Sequence, residues 1–235
     1  MRNPSSCVRT SRSASGTPAS YLASGVPEME APSTPPLRLQ PMDAWRPCGW
    51  TTGACATGAA KAAFTALATG DFPDPVDISL PRGGSTAFAL ARHDLDNGSA
   101  TAAIIKDAGD DPDVTHGALV SATVRCLPAG SGLVFKAGEG VGTVTRPGLP
   151  IPPGEPAINP VPREMMRQAI AEVSAQTGLA GDVEIEISIE NGEELAKKTL
   201  NGRLGIVGGL SILGTTGIVR PFSCAAWIAS PRAAR

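Results

Sequence analysis

The sequence is poor in aromatic residues and in charge, and it has no long apolar run. Aromatic residues make up 4% of the 235 residues and charged residues 18%. The formal net charge of −2 gives no general attraction to nucleic acid or to acidic membranes. The longest uncharged run, residues 204–219, is shorter than the roughly 20 apolar residues that span a bilayer. We therefore expect neither nucleic acid nor membrane as a partner.

Cysteine is scarce and is not arranged for metal or disulfide chemistry. The number of cysteines is odd, and no two of them form a C-x-x-C pair. The first thirty residues also lack the continuous apolar stretch of a signal peptide. This pattern favours reduced thiols in a cytoplasmic protein over a zinc site or a disulfide framework. The five cysteines are Cys7, Cys48, Cys55, Cys126 and Cys224.

Glycine and proline divide the chain into short elements. Residues 1–44 are rich in Ser, Pro, Ala and Arg and show no periodicity, which predicts a disordered leader without a function of its own. Residues 45–190 predict an α+β domain. The short runs of β-type residues are separated mostly by turns rather than helices, so a mixed or antiparallel sheet is expected. The predicted strands cover residues 76–80, 86–91, 100–105, 118–126, 133–135 and 183–189.

Two helices and one hairpin have clear local signals. Residues 54–68 are small and helix-favouring, with Thr51 or Thr52 as the N-cap and Gly70 at the end. A second helix is predicted from about residue 163 to 177, ahead of Gly178. Asn97-Gly98 predicts a hairpin turn.

Four segments of unusual composition resemble one protein family, and together they cover most of residues 46–223. The resemblance is to the cobalt-precorrin-5B (C1)-methyltransferase (CbiD) family of anaerobic cobalamin biosynthesis. The four signature segments are WTTGACAT with AAKAA (50–63), KDAGDDPDVTHG (106–117), GEGVGTVTRPGLPIPPGEPAINPVPR (138–163) and NGEELAKKTLNGRLGIVGGLSILGTTGIVRP (191–221).

The resemblance implies a reaction and a two-part fold. The reaction is methyl transfer from S-adenosyl-L-methionine to C1 of cobalt-precorrin-5B, a cobalt-containing tetrapyrrole, which gives cobalt-precorrin-6A. The enzyme needs no protein-bound metal, because the cobalt belongs to the substrate. The fold implied is an α+β domain followed by a Rossmann-like α/β domain that holds the methyl donor.

The family continues beyond residue 223, so we expect this chain to be truncated at its C-terminus. Residues 191–223 would then be the start of an incomplete α/β domain, and residues 224–235 an irregular tail. An inactive remnant that at most binds tetrapyrrole is the alternative function. A generic nucleotide-binding α/β protein is a third, but it leaves three of the four segments unexplained.

The glycine-rich stretch after the predicted strand 204–207 is the candidate donor site. Glycines allow a nucleotide-like ligand to approach the backbone closely, and threonine hydroxyls can bond its oxygens. The pattern is not a true G-x-G-x-x-G, so a buried strand with a glycine turn remains open. The predicted donor-binding residues are Gly208, Gly209, Gly214, Thr215, Thr216 and Gly217.

The acidic segment 106–117 has three possible readings. Its aspartates could bind a hard cation, but the calcium-loop glycine and terminal glutamate are missing. A solvated turn with Asx-type caps is the second reading. The third is an active-site loop, in which a modest base removes a proton after methylation. For the third reading, the candidate catalytic residues are His116, Asp110 and Asp111, whereas His93 is expected on the surface.

The candidate substrate-binding residues are a helix start and a set of cations. Thr51 and Thr52 open a helix whose positive end suits a carboxylate, although an ordinary N-cap is the favoured explanation of the same residues. Cys55, in the same turn, is expected to be a small packing residue. A polycarboxylate macrocycle needs several cations. The cations inside the signature segments are Lys106, Arg146, Arg163, Arg203 and Arg220. Apolar residues within 204–219 make a homodimer possible.

Overall fold

The computed structural model describes residues 48–221. The leader predicted for residues 1–44 and the tail predicted for 224–235 lie outside the described residues. Among the helices of the described part, none combines the length and the apolar content that a membrane crossing requires.

Helix α1, Thr52–Thr69, lies at the centre of the fold. Its small residues make a helix that neighbours can approach from every side, and most of its length is buried. Thr51 is the N-cap, and its side chain accepts a hydrogen bond from the Ala54 amide. Gly70 ends the helix in the left-handed conformation and donates to the Ala66 carbonyl at 2.8 Å. Both predicted helix boundaries agree with this structure to within two residues.

Helix α2, Pro160–Thr177, packs against α1 and begins three residues earlier than predicted. Asn159 precedes it in an extended conformation, and the proline at the first position lacks only an amide hydrogen that a helix start leaves unpaired. Lys61 of α1 and Glu172 of α2 form an ion pair at 2.8 Å between the two helices. Gly178 ends α2 as predicted.

The central sheet has five strands in the order β4-β5-β6-β9-β7. Neighbouring strands are antiparallel, except that β7 runs parallel to β9. The expectation of an α+β fold with a mixed sheet is confirmed. Strand β4 was not predicted, because all five of its residues are exposed and show no apolar alternation. The strands of this sheet are β4 Arg92–Asp96, β5 Ser99–Ile105, β6 Leu119–Cys126, β7 Leu133–Ala137 and β9 Val183–Ile189.

The two faces of this sheet differ in character. Alternate residues of β6 and β9 are buried, and β5 and β6 pack on α1. The opposite face is polar and open. On it Thr101 and Thr123 share a hydrogen bond of 2.8 Å. Arg125 contacts Glu184 at 3.2 Å and Glu186 at 3.0 Å. The core therefore lies between the sheet and the two long helices.

The remaining strands are short and form three two-stranded sheets. Strand β2, Val76–Ser79, pairs with β3, Ser85–Phe88. The other pairs are β1, Gly49–Trp50, with β11, Ile218–Val219, and β8, Thr143–Val144, with β10, Ile206–Val207.

Residues 191–221 fold back on the earlier part of the chain. They contain helix α3, Gly192–Ala196, together with β10 and β11. The predicted strand 204–207 is shortened to its last two residues. Up to residue 221, no helix follows the glycines, so the strand–glycine–helix order of a Rossmann phosphate site is not present in this stretch. The Rossmann-like character and the domain boundary stay predictions.

Candidate functional site at the start of helix α1

The four signature segments meet at the amino-terminal end of α1. Thr52 and Gly53 bind the backbone of Leu213, since the Gly53 amide donates to the Leu213 carbonyl at 2.8 Å. The Trp50 amide donates to the Asp107 carbonyl at 2.7 Å. Gly53 also lies against Pro162, because a Cβ at this glycine would lie 2.7 Å from the proline Cγ. Segments that are far apart in sequence thus surround one helix end.

This helix end is already satisfied by protein groups. The Gly53 amide is bound to Leu213, and the Ala54 amide is bound to the Thr51 hydroxyl at 3.2 Å. The side chain of Thr52 is buried and bonds to Leu213 as well. A carboxylate would have to displace these bonds to use the same amides. Thr51 and Thr52 have a structural role here, and their contact with a substrate stays a prediction.

Cys55, in the first turn of α1, is fully buried. Burial raises the pKa of its thiol from 9.0 to about 12, although the positive charge of Lys106 opposes the effect. The thiol is therefore neutral near pH 7 and serves as a small packing group, as expected.

Three of the predicted donor-site glycines approach protein atoms closely. A Cβ at Gly209 would collide with the backbone of Gly140, and a Cβ at Gly214 would collide with the Thr51 side chain. A Cβ at Gly217 would lie 2.7 Å from Cδ2 of Leu80. The absence of a side chain at these positions is thus explained by packing within the chain.

The other three donor candidates differ from one another. The Thr216 hydroxyl donates to the Ile218 carbonyl at 3.0 Å, so it is engaged in a local turn. Thr215 is exposed, and a Cβ at Gly208 would meet nothing within 4 Å. Gly208 and Thr215 are therefore the two candidates that present an unobstructed surface.

The acidic loop is organised around a buried lysine. The Lys106 side chain is 1% exposed, and its Nζ binds Asp113 Oδ2 at 2.9 Å. The second Asp113 oxygen accepts from the Thr115 amide at 2.8 Å and from its hydroxyl at 2.7 Å. Burial tends to raise the pKa of Asp113, but the hydrogen bonds from Lys106 and Thr115 outweigh it and hold that pKa below its ordinary value. Lys106 is thus committed to the loop, and a substrate would not reach its ammonium group.

His116 is held by the backbone of the same loop. Its Nδ1 accepts a hydrogen bond from the Ala108 amide at 3.1 Å, while Asp107 Oδ1 lies 3.6 Å away. The contact with the Ala108 amide requires an Nδ1 without a hydrogen, whereas a bond to the Asp107 carboxylate requires an Nδ1 that carries one. An amide hydrogen is always a donor and its contact is the shorter, so Nδ1 carries no hydrogen and the ring hydrogen lies on Nε2. In this tautomer His116 presents a donor, and it could act as a base at Nε2 only after a change of tautomer.

The other two catalytic candidates make few contacts. Asp110 is exposed. The backbone amide of Asp111 donates a hydrogen bond to the Ala108 carbonyl at 3.3 Å. Within residues 48–221, no three Asp, Glu, His or Cys side chains come together in a way that would hold a metal ion.

A cavity of about 420 Å³ lies beside His116, at the end of the open sheet face where β5 ends and β6 begins. Its walls combine apolar and charged side chains. Sequence reasoning missed Arg92 and Glu190, because neither stands in a motif and β4 was not recognised as a strand. The side chains that line it include Arg92, Ile105, His116, Leu119, Glu190 and Leu195.

The predicted substrate-binding arginines do not share one environment. The Arg163 guanidinium donates to the Ile158 carbonyl at 2.8 Å, contacts Glu155 at 3.2 Å and lies 5.3 Å from the Phe135 ring centre. It therefore links the start of α2 to the preceding loop. Arg146, Arg203 and Arg220 are exposed and have no ion-pair partner among the described residues.

The described residues define an α+β domain built on a mixed sheet, with one helix end surrounded by loops. A solved structure of a cobalamin biosynthesis protein, CbiD from Archaeoglobus fulgidus, matches it with a TM-score of 0.60 and 30% identity, over 82% of this chain and 61% of that one. The model of the CbiD family matches residues 41–221. The chain belongs to the CbiD family.

Curated relatives carry the name cobalt-precorrin-5B C(1)-methyltransferase. The protein from a Bradyrhizobium species is 68% identical over 182 residues, which are 77% of this chain and 48% of the relative. The protein from Brucella anthropi is 66% identical over 182 residues, again 77% of this chain and 50% of the relative. This chain spans about half the length of the curated relatives it matches.

Proposed function

We propose that the protein takes part in the methylation of C1 of cobalt-precorrin-5B by S-adenosyl-L-methionine, which gives cobalt-precorrin-6A. The observation that carries the proposal is the family match across residues 41–221, together with the names of relatives at 66–68% identity. A cytoplasmic location fits this reaction and stays a prediction. Because the chain spans half of its relatives, the activity of the whole protein is a proposal for this chain.

The chemistry is a direct displacement. S-adenosyl-L-methionine supplies an electrophilic methyl group on its sulfonium, and the electron-rich C1 carbon of the substrate attacks it. The new C–C bond forms as the bond between sulfur and the methyl group breaks, and S-adenosyl-L-homocysteine leaves with the electron pair. The protein's main contribution is to hold the two reactants in line, and such positioning can supply most of the rate. No covalent enzyme intermediate is needed.

For the methyl donor, Gly208 and Thr215 are the proposed contacts of this chain. They are the members of the glycine-rich segment that leave open space for a ligand. Gly209, Gly214 and Gly217 support them by allowing the segment to pack closely on Gly140, Thr51 and Leu80.

For the substrate, Arg146, Arg203 and Arg220 are the proposed carboxylate partners. They are exposed and make no ion pair within residues 48–221, so binding a carboxylate would break no existing contact. Arg163 and Lys106 instead hold the loops in place, since both are committed to protein partners.

A labelled-methyl assay tests the proposal. The 235-residue chain, incubated with labelled S-adenosyl-L-methionine and cobalt-precorrin-5B, should give product labelled at C1. The Bradyrhizobium relative serves as the positive control under the same conditions. Transfer by the relative without any transfer or substrate binding by this chain would contradict the proposal.

A variant pair tests the arginines. The triple change R146Q/R203Q/R220Q should weaken substrate binding, whereas Arg82→Gln, at an exposed arginine of the β2–β3 turn, should not. If Arg82→Gln lost about one third of the binding free energy that the triple variant loses, as expected for one charge against three, the effect would be one of overall charge.

A homodimer stays part of the proposal for the quaternary structure. Leu204, Val207 and Leu213 are 37%, 59% and 49% exposed, which leaves apolar surface for a second copy. Sedimentation equilibrium of the full chain would show a monomer if this surface has no such role.

A further inference from the structure

The cavity beside His116 has no role in the proposed reaction so far, yet it combines the features of a binding site. It has a volume of about 420 Å³, within the range of small-ligand pockets. Ile105, Leu119 and Leu195 form apolar walls, and Arg92, His116 and Glu190 bring polar groups to the same space. Ile105 is 59% exposed, which is unusual for an isoleucine and leaves its side chain open to a ligand.

The state of His116 limits what this cavity can bind. Because the Ala108 amide donates to Nδ1 at 3.1 Å, the remaining ring nitrogen, Nε2, carries the hydrogen. Nε2 has no hydrogen-bond partner within residues 48–221, and the side chain is 57% exposed. His116 therefore offers one fixed N–H donor to a ligand oxygen.

The position of this donor is fixed by the loop below it. The buried pair of Lys106 and Asp113 closes the loop, and Asp113 also binds the backbone and hydroxyl of Thr115, the residue before His116. A donor on such a support loses little freedom when a ligand binds, which favours affinity.

We propose that this cavity is a carboxylate-binding subsite in which His116 donates through Nε2–H and Arg92 supplies the positive charge. Arg92 is exposed and makes no ion pair among the described residues, so it is available to a ligand. Resting on the proposed function, the ligand is one acetate or propionate arm of the tetrapyrrole, and the apolar walls contact the adjoining ring edge.

Two acidic groups oppose this binding and set its strength. Glu190 lines the same cavity, and Asp107 lies 3.6 Å from the imidazole. Their charges lower the affinity for a second carboxylate, so the subsite suits a single arm of a larger ligand that is held elsewhere as well.

The tautomer can be measured without any activity. The chain has two histidines, so the variant His93→Gln leaves His116 as the one imidazole. Nitrogen-15 chemical shifts of this variant, taken at mildly alkaline pH where a free imidazole is neutral, should show a hydrogen on Nε2 and none on Nδ1. A hydrogen on Nδ1, or the same mixture of tautomers that His116 shows in the urea-unfolded chain, would overturn the proposal.

Binding is then measured with two probes on the full chain. Propionate should shift the His116 signal in a saturable way, and uroporphyrin, a polycarboxylate tetrapyrrole, should displace it. Displacement assigns the carboxylate to a tetrapyrrole arm. Propionate binding without displacement contradicts the tetrapyrrole source, and no saturable shift contradicts the subsite.

Matched variants separate the donor from the loop. Asn at position 116 can still accept from Ala108 but lacks the distal donor, so His116→Asn should weaken uroporphyrin binding about ten-fold at an unchanged melting temperature. Arg92→Gln should weaken it by a similar factor, and Glu190→Gln should strengthen it. The proposal is contradicted if uroporphyrin binding is unchanged in both His116→Asn and Arg92→Gln. It is also contradicted if the control Arg82→Gln loses as much binding as these two variants. These binding measurements do not depend on methyl transfer, so the absence of methyl transfer would contradict the proposed function without contradicting the carboxylate subsite.

Discussion

The Thr52 hydroxyl is bonded twice to the backbone of Leu213. It accepts from the Leu213 amide at 2.9 Å and donates to the Leu213 carbonyl at 3.2 Å. The Gly53 amide donates to the same carbonyl at 2.8 Å. Two residues 161 positions apart thus fix the glycine-rich segment against the start of α1.

Thr52→Val should loosen this attachment. Valine keeps the shape of threonine but leaves the partly buried Leu213 amide without its partner, which should lower the free energy of unfolding by about 1 kcal/mol. Urea unfolding measures the change. Thr65→Val is the matched control, since that hydroxyl binds only the Lys61 carbonyl within its own helix and its loss should cost little. Equal effects of the two variants would contradict the assigned attachment.

Asp113→Asn should destabilise the acidic loop by leaving the Lys106 ammonium buried and unpaired. Removing one partner of a buried pair costs about 3 kcal/mol or more. The double variant K106M/D113N should recover most of that loss, because a neutral side chain then fills the buried space. Thermal unfolding of the three proteins tests this, and no recovery in the double variant would argue against an electrostatic cause.

The same pair predicts acid sensitivity. The pKa of Asp113 lies below its ordinary value of 3.8 in the folded protein. Its contribution to stability is therefore present above pH 3.8 and is lost as the pH falls through the lowered pKa. In Asp113→Asn this part of the acid dependence should disappear, as followed by circular dichroism during acid titration.

Gly209→Ala should destabilise the fold, because the new methyl group would collide with the Gly140 backbone. Backbone atoms cannot move aside cheaply, so a loss of about 3 kcal/mol is expected. Gly202→Ala is the control, as a Cβ there meets nothing within 4 Å and its backbone needs no left-handed conformation. Similar stabilities of the two variants would show that the segment can shift.

Cys55 should resist thiol reagents, and it should make the folded protein less stable at alkaline pH. Its pKa rises from 9.0 to about 12 on folding, so the unfolded chain ionises first. The stabilising effect is complete below pH 9.0 and is lost as the pH rises towards about 12. Urea unfolding between about pH 8 and about pH 11 should therefore weaken more steeply in the wild type than in Cys55→Ala. Peptide mapping after mild alkylation should find Cys48 and Cys126 modified, because both are exposed, and Cys55 intact.

Local chemistry allowed the two long helices and most strands to be predicted from the sequence, whereas the short helix α3 was not predicted. Thr51 and Gly70 mark the ends of α1, and Asn97-Gly98 forms the turn between β4 and β5. These signals act over a few residues. Strand β4 could not be predicted, since its exposed polar residues are held by pairing with β5 rather than by burial.

The candidate site depended on contacts that a sequence does not show. Lys106 stands in a polar loop, and only its pairing with Asp113 explains why it is buried. Arg92 and Glu190 are 98 positions apart and meet at one cavity because β4, β5, β6 and β9 are neighbours in the sheet. Donor approach to the glycines of residues 208–217 stays a prediction, because the close contacts of three of them are made with other parts of this chain.

The pairing of β1 with β11 has a consequence for the order of folding. Gly49 pairs with Val219, and Trp50 pairs with Ile218. This small sheet therefore closes a loop that contains nearly all of the described chain. Contacts between residues so far apart in sequence are expected to form after the local elements, because the entropy of closing the loop is lost before the contacts are gained. We therefore expect the start of α1 to be covered late in folding, and we predict that the Gly53 amide exchanges its hydrogen with solvent before the amides of β6 and β9.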